Sequence, residues 1–271
     1  SGENEERIIE IEIERLRPFK EHLFQVKDDK EMFLLQESIE KYSILNPLIV
    51  RPVPDGYYEI ISGHRRKHAA EKLGYRKVPV IIRVLSEDDS ILSMVDSNLH
   101  RERISYSEKA FAYKLKNDVL KRKSGRKKSQ VDHKKPRKRS IDIISENCGD
   151  SPKQVQRYIS LTKLIPEMLQ KLDDEIISFC PAVEIAALKE NEQRELLKAM
   201  DYAQAIPSLS QAQRIKQLSK EKQLSLEKME EIMELCPDIS KVTVERILTN
   251  LVKSGYIAKV GAGLSTGYVR I

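Results

Sequence analysis

The sequence has no tryptophan and few aromatic residues of any kind. Phenylalanine, tyrosine and tryptophan together account for 6% of its 271 residues. Sites that stack a ring-shaped ligand or enclose a quaternary ammonium group need exposed aromatic side chains. The composition therefore argues against a function built on an aromatic platform.

Cysteine is also scarce. The three cysteines, Cys148, Cys180 and Cys236, are far apart in the sequence and form no CxxC pair. A disulfide framework needs an even set, and a zinc knuckle needs closely spaced ligands. We therefore expect reduced thiols, as in a cytoplasmic protein.

Long apolar runs and a signal-peptide pattern are both missing. No stretch approaches the roughly 18 consecutive apolar residues that a membrane span requires. Charged residues make up 33% of the chain, and the mean hydropathy is -0.49. The sequence predicts a soluble protein with a highly charged surface and no membrane partner.

What the sequence does contain is clustered positive charge. The net charge of +6 is mild for 271 residues. However, eleven of the nineteen residues from 121 to 139 are Lys or Arg, and only Asp132 is acidic. Such a block, interrupted by Gly125 and Pro136, is typical of a flexible arm. A solvated linker is one interpretation. We favour contacts with DNA phosphates, made by Lys134, Lys135, Arg137, Lys138 and Arg139.

The first hundred residues mix strand and helix patterns. Residues 7–13 alternate apolar and charged side chains, as a half-buried strand does, and apolar residues of 29–42 have helical spacing. A turn at 54–56 separates two strand-like runs. The pattern predicts a small mixed α/β domain over residues 7–104, with strands at 48–53, 57–62 and 78–85 and helices at 64–74 and 86–99.

A helix-turn-helix is predicted over residues 140–164, within a helical domain spanning 105–200. One short helix ends at Gly149, and Ser151-Pro152 begin the next as N-cap and first helical residue. Glutamine and arginine side chains can pair with adenine and guanine edges in the major groove. A plain helical hairpin is the alternative. The candidate DNA-reading residues at the exposed start of the second helix are Lys153, Gln154, Gln156 and Arg157.

The last third of the chain is predicted to form a third domain over residues 205–271. Helices are expected at 208–221 and 225–235, after a helix at 181–200 that ends the second domain. A further helix at 239–257, followed by a glycine-turned hairpin, is similar to a winged helix. A dimerisation or capping domain fits nearly as well. In the winged-helix interpretation the helix would present Lys241, Thr243 and Arg246.

The segment 61–70, ISGHRRKHAA, places two histidines and three cations behind one glycine. His64 and His68 have the i, i+4 spacing of zinc ligands on a helix. The fixed positive charges of Arg65, Arg66 and Lys67 lie between them and repel a metal cation. The histidine pair is therefore a poor metal site.

Phosphate suits the same segment better. Gly63 lies where a strand turns into a helix and permits close approach of the backbone, and a helix N-terminus attracts anions. Arg65 and Arg66 add guanidinium groups that match phosphate oxygens. One of the arginines could instead be structural, paired with an acid such as Glu71.

Several segments, in order, resemble ParB-type partition proteins. Residues 57–83, YYEIISGHRRKHAAEKLGYRKVPVIIR, resemble the nucleotide-binding segment of that family, and residues 93–115 resemble its second motif. The helix-turn-helix follows in the family's order. The resemblance covers about residues 7–226 and is strongest to ParB-like proteins of plasmids and conjugative elements of Firmicutes-like bacteria.

The resemblance implies an α+β fold class: a mixed α/β N-terminal domain, an all-α helix-turn-helix domain and a helical or winged-helix-like C-terminal segment. It also implies a CTP and Mg²⁺ pocket, double-stranded DNA as partner, a homodimer, and a ParA-type ATPase. The protein would be associated with the nucleoid or a plasmid. Carried over by position, the nucleotide-binding residues are Gly63, His64, Arg65, Arg66, Asn98, Arg101 and Glu102, with Asn98 also next to the metal.

Two positions depart from the family pattern. His64 replaces the usual acid after the glycine, and Ser97 replaces the usual glutamate before Asn98. Serine offers no charge to a dication, and Asp96 is one residue, about 100°, out of register on a helix. We therefore expect at most weak CTPase activity.

Other enzymes that share the domain shape fit less well. A sulfiredoxin needs a cysteine at the Gly63 turn, and none is present. A nuclease needs clustered carboxylates, but the acids at 87–89 fit the first turn of a helix. The sequence predicts a site-specific DNA-binding partition protein acting as a CTP-responsive clamp. The alternative is a transcriptional regulator, or a replication or transfer accessory factor, with a vestigial pocket.

Overall fold

A computed structural model describes residues 7–20, 24, 26–99, 101, 104–126, 138–234, 248–260 and 267–270. The chain divides into two compact units, Ser1–Thr162 and Lys163–Ile271. Within the described residues, no helix combines the length and the apolar character needed to cross a membrane.

The first unit begins with a five-stranded mixed sheet. Its strands are β1 (Ile8–Glu12), β2 (Leu16–Pro18), β3 (Leu48–Pro52), β4 (Tyr58–Ser62) and β5 (Lys77–Ile82). Their order in the sheet is β1-β5-β3-β4-β2. β3 and β4 form the expected antiparallel hairpin, and β5 pairs parallel to β3 and antiparallel to β1. β2 pairs parallel to β4 at the other edge.

Helices cover both faces of this sheet. On one face, a core containing Ile60 includes Met32 and Ile39 of α1 and Ala69 of α2. On the other, a second core containing Ile61 includes Met94 of α3. Successive side chains of a strand point to opposite faces, so a sheet buried on both sides needs apolar residues in succession. The helices of this unit are α1 (Lys30–Tyr42), α2 (His64–Lys72), α3 (Glu87–Leu99), α4 (Tyr106–Arg126), α5 (Ser140–Cys148) and α6 (Pro152–Leu161).

The basic segment starts as helix, which corrects the expectation of a flexible arm from residue 121. α4 continues to Arg126, and residues 127–137 lie outside the described part. Lysine and arginine are good helix formers. In addition, Arg122 of α4 pairs with Asp88 of α3 at 2.9 Å, and Lys123 pairs with Asp89. Ion pairs along α3 therefore stabilise this end of α4.

The second unit is helical as far as Glu234. Its helices are α7 (Pro166–Asp173), α8 (Phe179–Ile185), α9 (Glu190–Ala203), α10 (Leu209–Lys220) and α11 (Leu226–Glu234). The expected single helix at 181–200 is wrong, because the helical structure is interrupted between α8 and α9. At the interruption, the buried Gln193 side chain donates to the carbonyls of Leu188 and Lys163 and accepts from the Ile165 nitrogen.

The C-terminal hairpin is present as β6 (Ile257–Val260) paired antiparallel with β7 (Gly267–Arg270). Residues 248–253 are helical. The residues expected to form the reading surface of a winged helix, Lys241, Thr243 and Arg246, lie outside the described residues. The winged-helix interpretation therefore stays a prediction. The mixed α/β domain followed by helices is confirmed.

Candidate functional site

The turn between β4 and α2 requires glycine. Gly63 has φ +107°, and a Cβ atom built there would lie 2.7 Å from Cγ of Leu48. Both the backbone conformation and the close contact exclude a side chain. The next residue, His64, is buried at the first position of α2. The turn thus presents the N-terminus of α2, with its partial positive charge, beside the following arginines.

Arg65 faces the N-terminus of α1. Its Nη2 lies 2.9 Å from Oδ1 of Asp29 and 3.7 Å from Oε2 of Glu31. The neighbouring Asp28 binds His68 at 3.0 Å and Lys72 at 2.6 Å instead. The acidic residues Asp28, Asp29 and Glu31 were not singled out in the sequence, although Asp29 has the residue type of an N-cap.

Arg66 supports the connection between α1 and β3. Its Nη1 donates to the carbonyl of Pro47 at 2.8 Å and to the carbonyl of Asn46. Burial lowers the pKa of Arg66. The structural alternative expected for one arginine, pairing with an acid, is the arrangement of Arg65 with Asp29 and Glu31, whereas Arg66 binds main-chain carbonyls. Glu71 pairs with Lys67.

The second motif lies at the end of α3. Asn98 is buried and its amide nitrogen donates to the carbonyl of Met94 at 2.8 Å. Ser97 donates its hydroxyl to the same carbonyl at 2.9 Å. Asp96, the acid out of register, pairs with the buried Lys116 of α4 at 2.5 Å. Asp96 is thus engaged on the α4 side of the helix.

Arg101, from the second motif, is electrostatically coupled to Arg65 of the first. Its guanidinium carbon lies 5.5 Å from the centre of the Phe24 ring. Burial lowers the pKa of Arg101, the charge of Arg65 lowers it further, and Glu108 and Glu31 oppose both effects. Glu102, the other expected residue of the second motif, lies outside the described residues.

The described residues include few side chains that are placed to bind a metal ion. They contain no group of three or more His, Cys, Asp or Glu side chains that could hold a metal ion. The expected metal contact among the described residues is the side-chain oxygen of Asn98. A nucleotide-bound Mg²⁺ usually binds one or two carboxylates in addition to the phosphates. The described residues alone therefore do not make a Mg²⁺ site.

The helix-turn-helix forms as predicted. Gly149 ends α5 with φ +76°, and the Ser151 hydroxyl accepts from the Gln154 nitrogen at the start of α6. Val155 of α6 is buried in a cluster with Tyr113 of α4 and Ile144 of α5. The expected DNA-reading residues around this buried side chain differ in exposure: Lys153 and Gln156 are exposed, and Gln154 and Arg157 are half-buried.

An ionic and aromatic cluster fixes the turn between α5 and α6 onto α4. Asp150 accepts from the Tyr113 hydroxyl at 2.6 Å and pairs with Lys109 at 2.8 Å. Tyr158 of α6 packs edge-on against Tyr113, with ring centres 5.7 Å apart. Lys109 also lies 4.6 Å from the centre of the Tyr158 ring. These contacts set the position of α6 relative to α4.

The two described residues of the arm's end are engaged with α5. Lys138 pairs with Glu146 at 2.6 Å, and Arg139 forms two bonds with Asp142, each of 3.0 Å. Both cations are largely exposed. The other expected arm residues, Lys134, Lys135 and Arg137, lie outside the described residues.

Comparison with known proteins identifies the first domain. Residues 1–99 match the ParB N-terminal domain family. The matched range contains the five-stranded sheet and α1 to α3. A nucleoid occlusion protein of Lysinibacillus sphaericus is 25% identical over 266 residues, covering 94% of this chain and 82% of the relative. A nucleoid occlusion protein of Bacillus mycoides is 35% identical over 136 residues, 48% of this chain and 47% of that protein. The latter match spans about half of each protein.

Solved structures similar to this chain include two complexes of the C-terminally truncated chromosome-partitioning protein ParB from Caulobacter crescentus. The complex with the centromeric parS site is 24% identical and has a TM-score of 0.46, covering 83% of this chain and 98% of that one. The complex with CTPγS is 25% identical with a TM-score of 0.33, covering 72% and 99%.

Proposed function

We propose that this protein is a site-specific DNA-binding protein of the ParB type whose N-terminal domain binds a nucleotide. By family resemblance the nucleotide is CTP, and the role is segregation of a plasmid, mobile element or chromosome. The observation that supports the nucleotide site is the glycine turn at Gly63, which starts α2 and is followed directly by His64 and Arg65. The charge of Arg65 also acts on Arg101 of the second motif.

Electrostatics favours an anion at this place. Two guanidinium groups held near each other repel, and part burial of Arg101 strengthens the repulsion because the surroundings are less polar than water. A chain of phosphates relieves it and accepts the paired hydrogen bonds that guanidinium groups donate. The N-terminus of α2 adds a third favourable contribution.

The helix-turn-helix supports recognition of double-stranded DNA. α6 is packed through Val155 and Leu161. Gln156 is exposed and Arg157 half-buried, and both are side-chain types that read base edges. Lys138, Arg139 and the arm before them would bind phosphates without regard to sequence. Their ion pairs with Glu146 and Asp142 would then be exchanged for phosphate contacts.

The remaining expectations belong to the same proposal. The protein would act as a homodimer in the cytoplasm and would close as a clamp on DNA when CTP binds, with a ParA-type ATPase as a further partner. Hydrolysis would be weak, because Ser97 is bonded to its own helix and Asp96 to Lys116. Crosslinking between N-terminal domains should increase when CTP and the cognate DNA are added together. Unchanged crosslinking would refute the proposed clamp.

The nucleotide site is tested by calorimetric titration of the full chain with CTPγS, ATP and GTP in magnesium buffer. We expect binding of CTPγS that Arg101→Ala abolishes or weakens at least about tenfold, the loss of one charge-assisted interaction. The matched control is Arg76→Ala, which removes an exposed arginine next to β5. Equal binding by wild type, Arg101→Ala and Arg76→Ala would refute the site.

A second candidate is a DNA-binding regulator that ignores nucleotides. The observation that favours it is Arg66, whose guanidinium is already used by main-chain carbonyls. Such a protein would bind its operator with unchanged affinity whether or not CTPγS is present. DNA fragments from the neighbouring locus, titrated with and without CTPγS, separate the two candidates.

A further inference from the structure

The start of α1 holds carboxylates against the arginines of the phosphate site. Asp29 is the N-cap of α1, and its Oδ1 accepts from the Met32 nitrogen at 2.8 Å. The same carboxylate accepts two bonds from Arg65, one from Nη2 to Oδ1 at 2.9 Å and one from Nη1 to Oδ2 at 3.4 Å. The guanidinium edge of Arg65 is therefore engaged by Asp29 through both of its terminal nitrogens.

Glu31 adds to this arrangement from the first turn of α1. Its Oε2 lies 3.7 Å from Nη2 of Arg65, and its charge also acts on Arg101. Asp28 is different, because its partners are His68 and Lys72 on the next turn of α2. Adjacent carboxylates thus serve different cations.

Phosphate and carboxylate oxygens accept hydrogen bonds from the same guanidinium nitrogens. A phosphate that approaches Arg65 must displace Asp29 or share the guanidinium with it, and in either case two negative charges come close. Asp29 cannot move away freely, since leaving Arg65 by a change in its backbone position would also break the cap of α1. The cap therefore holds the carboxylate where it opposes an incoming anion.

We propose that Asp29 competes with the phosphates of the nucleotide for Arg65 and so limits the affinity of the site. The proposal rests on the nucleotide function proposed above. It predicts that neutralising Asp29 tightens nucleotide binding. If Asp29 instead orients Arg65 for the phosphates, the same change weakens binding, so the sign of the effect decides between the two.

The variant Asp29→Asn isolates the charge. Asparagine is as good an N-cap as aspartate and has the same shape, so α1 keeps its first turn. Asp28→Asn is the matched control, since it removes the same charge one residue earlier from a side chain that binds His68 and Lys72. Thermal unfolding of both variants checks that the fold is retained.

CTPγS titrations of the full chain in magnesium buffer measure the outcome. We expect the Kd of Asp29→Asn to fall about two- to five-fold, the range of an exposed ion pair. Asp28→Asn should stay near the wild-type value, and Glu31→Gln should shift in the same direction as Asp29→Asn by a smaller factor. In an Arg65→Ala background the gain from Asp29→Asn should disappear.

The outcomes separate this proposal from the one on which it rests. If wild type binds CTPγS and Asp29→Asn binds equally or more weakly, the competition is refuted and the nucleotide site stands. An equal gain from Asp28→Asn also refutes it, because a general charge effect would then be sufficient. If neither wild type nor Asp29→Asn binds, both proposals fail.

Discussion

Gly63 shows how one residue fixes the geometry on which the phosphate site depends. The substitution Gly63→Ala combines a left-handed backbone with a contact of 2.7 Å to Leu48. We expect a loss of at least about 2 kcal/mol in the free energy of unfolding, from strain and overpacking together. Denaturant unfolding measures it.

Gly74→Ala is the control for this prediction. Gly74 also has a positive φ, +78°, but an added Cβ would meet nothing within 4 Å. Gly74→Ala should therefore lower the free energy of unfolding only by the cost of the backbone conformation, about 1 kcal/mol. Equal losses from the two substitutions would show that the contact with Leu48 is unimportant.

The residue scale also shows the limits of reading a sequence. The motif correctly placed Gly63 and the arginines at a strand-to-helix turn, because glycine and helix start signals are local. It did not separate Arg65 from Arg66. That difference depends on the carbonyls of Asn46 and Pro47, which approach only when α1 and β3 have packed. Similarly, the pairing of Asp29 with Arg65 joins residues far apart in the chain.

At the scale of elements, substitutions in α6 test whether this helix recognises the DNA sequence. Arg157→Ala should weaken binding to the cognate site by about 1–3 kcal/mol and relax specificity at one position, if Arg157 pairs with a guanine edge. Lys41→Ala, on α1, removes one charge as a control. Fluorescence anisotropy with cognate and scrambled DNA measures both. A uniform loss on both DNAs would assign Arg157 to phosphate contact.

The position of α6 depends on the Asp150 cluster, which is sensitive to acid. Burial alone would raise the pKa of Asp150, but hydrogen bonds from Lys109 and Tyr113 lower it below the ordinary 3.8. A carboxyl with a lowered pKa stabilises the folded state above the ordinary value and loses that contribution as the pH falls through the folded value. The stability of the first unit should therefore decline below about pH 4.

Asp150→Asn tests this contribution. We expect it to cost about 1 kcal/mol at neutral pH, allowing for screening by solvent, and to make the decline of stability below pH 4 shallower. Asp142→Asn is the control, because its partner Arg139 is 75% exposed and a smaller effect is expected. Thermal unfolding between pH 2.5 and 7 gives the comparison. An unchanged acid profile in Asp150→Asn would contradict the assignment.

Element types were largely predictable, and the errors have physical causes. The start of α6 carries a recognisable N-cap in Ser151. The start of α9 has no recognisable N-cap residue, because Lys189 occupies that position. The main-chain nitrogen of Lys189 donates to the Glu192 carboxylate instead. The end of α4 was missed because Arg122 and Lys123 are stabilised by acids of α3. Local sequence shows caps but not such distant partners.

At the scale of the whole molecule, the basic arm should govern affinity without governing specificity. Replacing Lys134, Lys135, Arg137, Lys138 and Arg139 by glutamine should weaken binding to all DNA sequences alike. It should also reduce the slope of log K against log salt by about 0.9 for each DNA phosphate that the arm no longer neutralises. Binding measured across a salt series tests this. A weakening confined to the cognate site would show that the arm reads sequence.

The split of neighbouring residues between two cores has a consequence for how this chain can change over evolutionary time. Ile60 and Ile61 face opposite sides of the sheet, and Gly63 must start α2 shortly afterwards. An insertion or deletion that shifted the register of β4 by one residue would exchange the two faces. We therefore expect substitutions in β4 to be tolerated more readily than a change in the number of residues before Gly63.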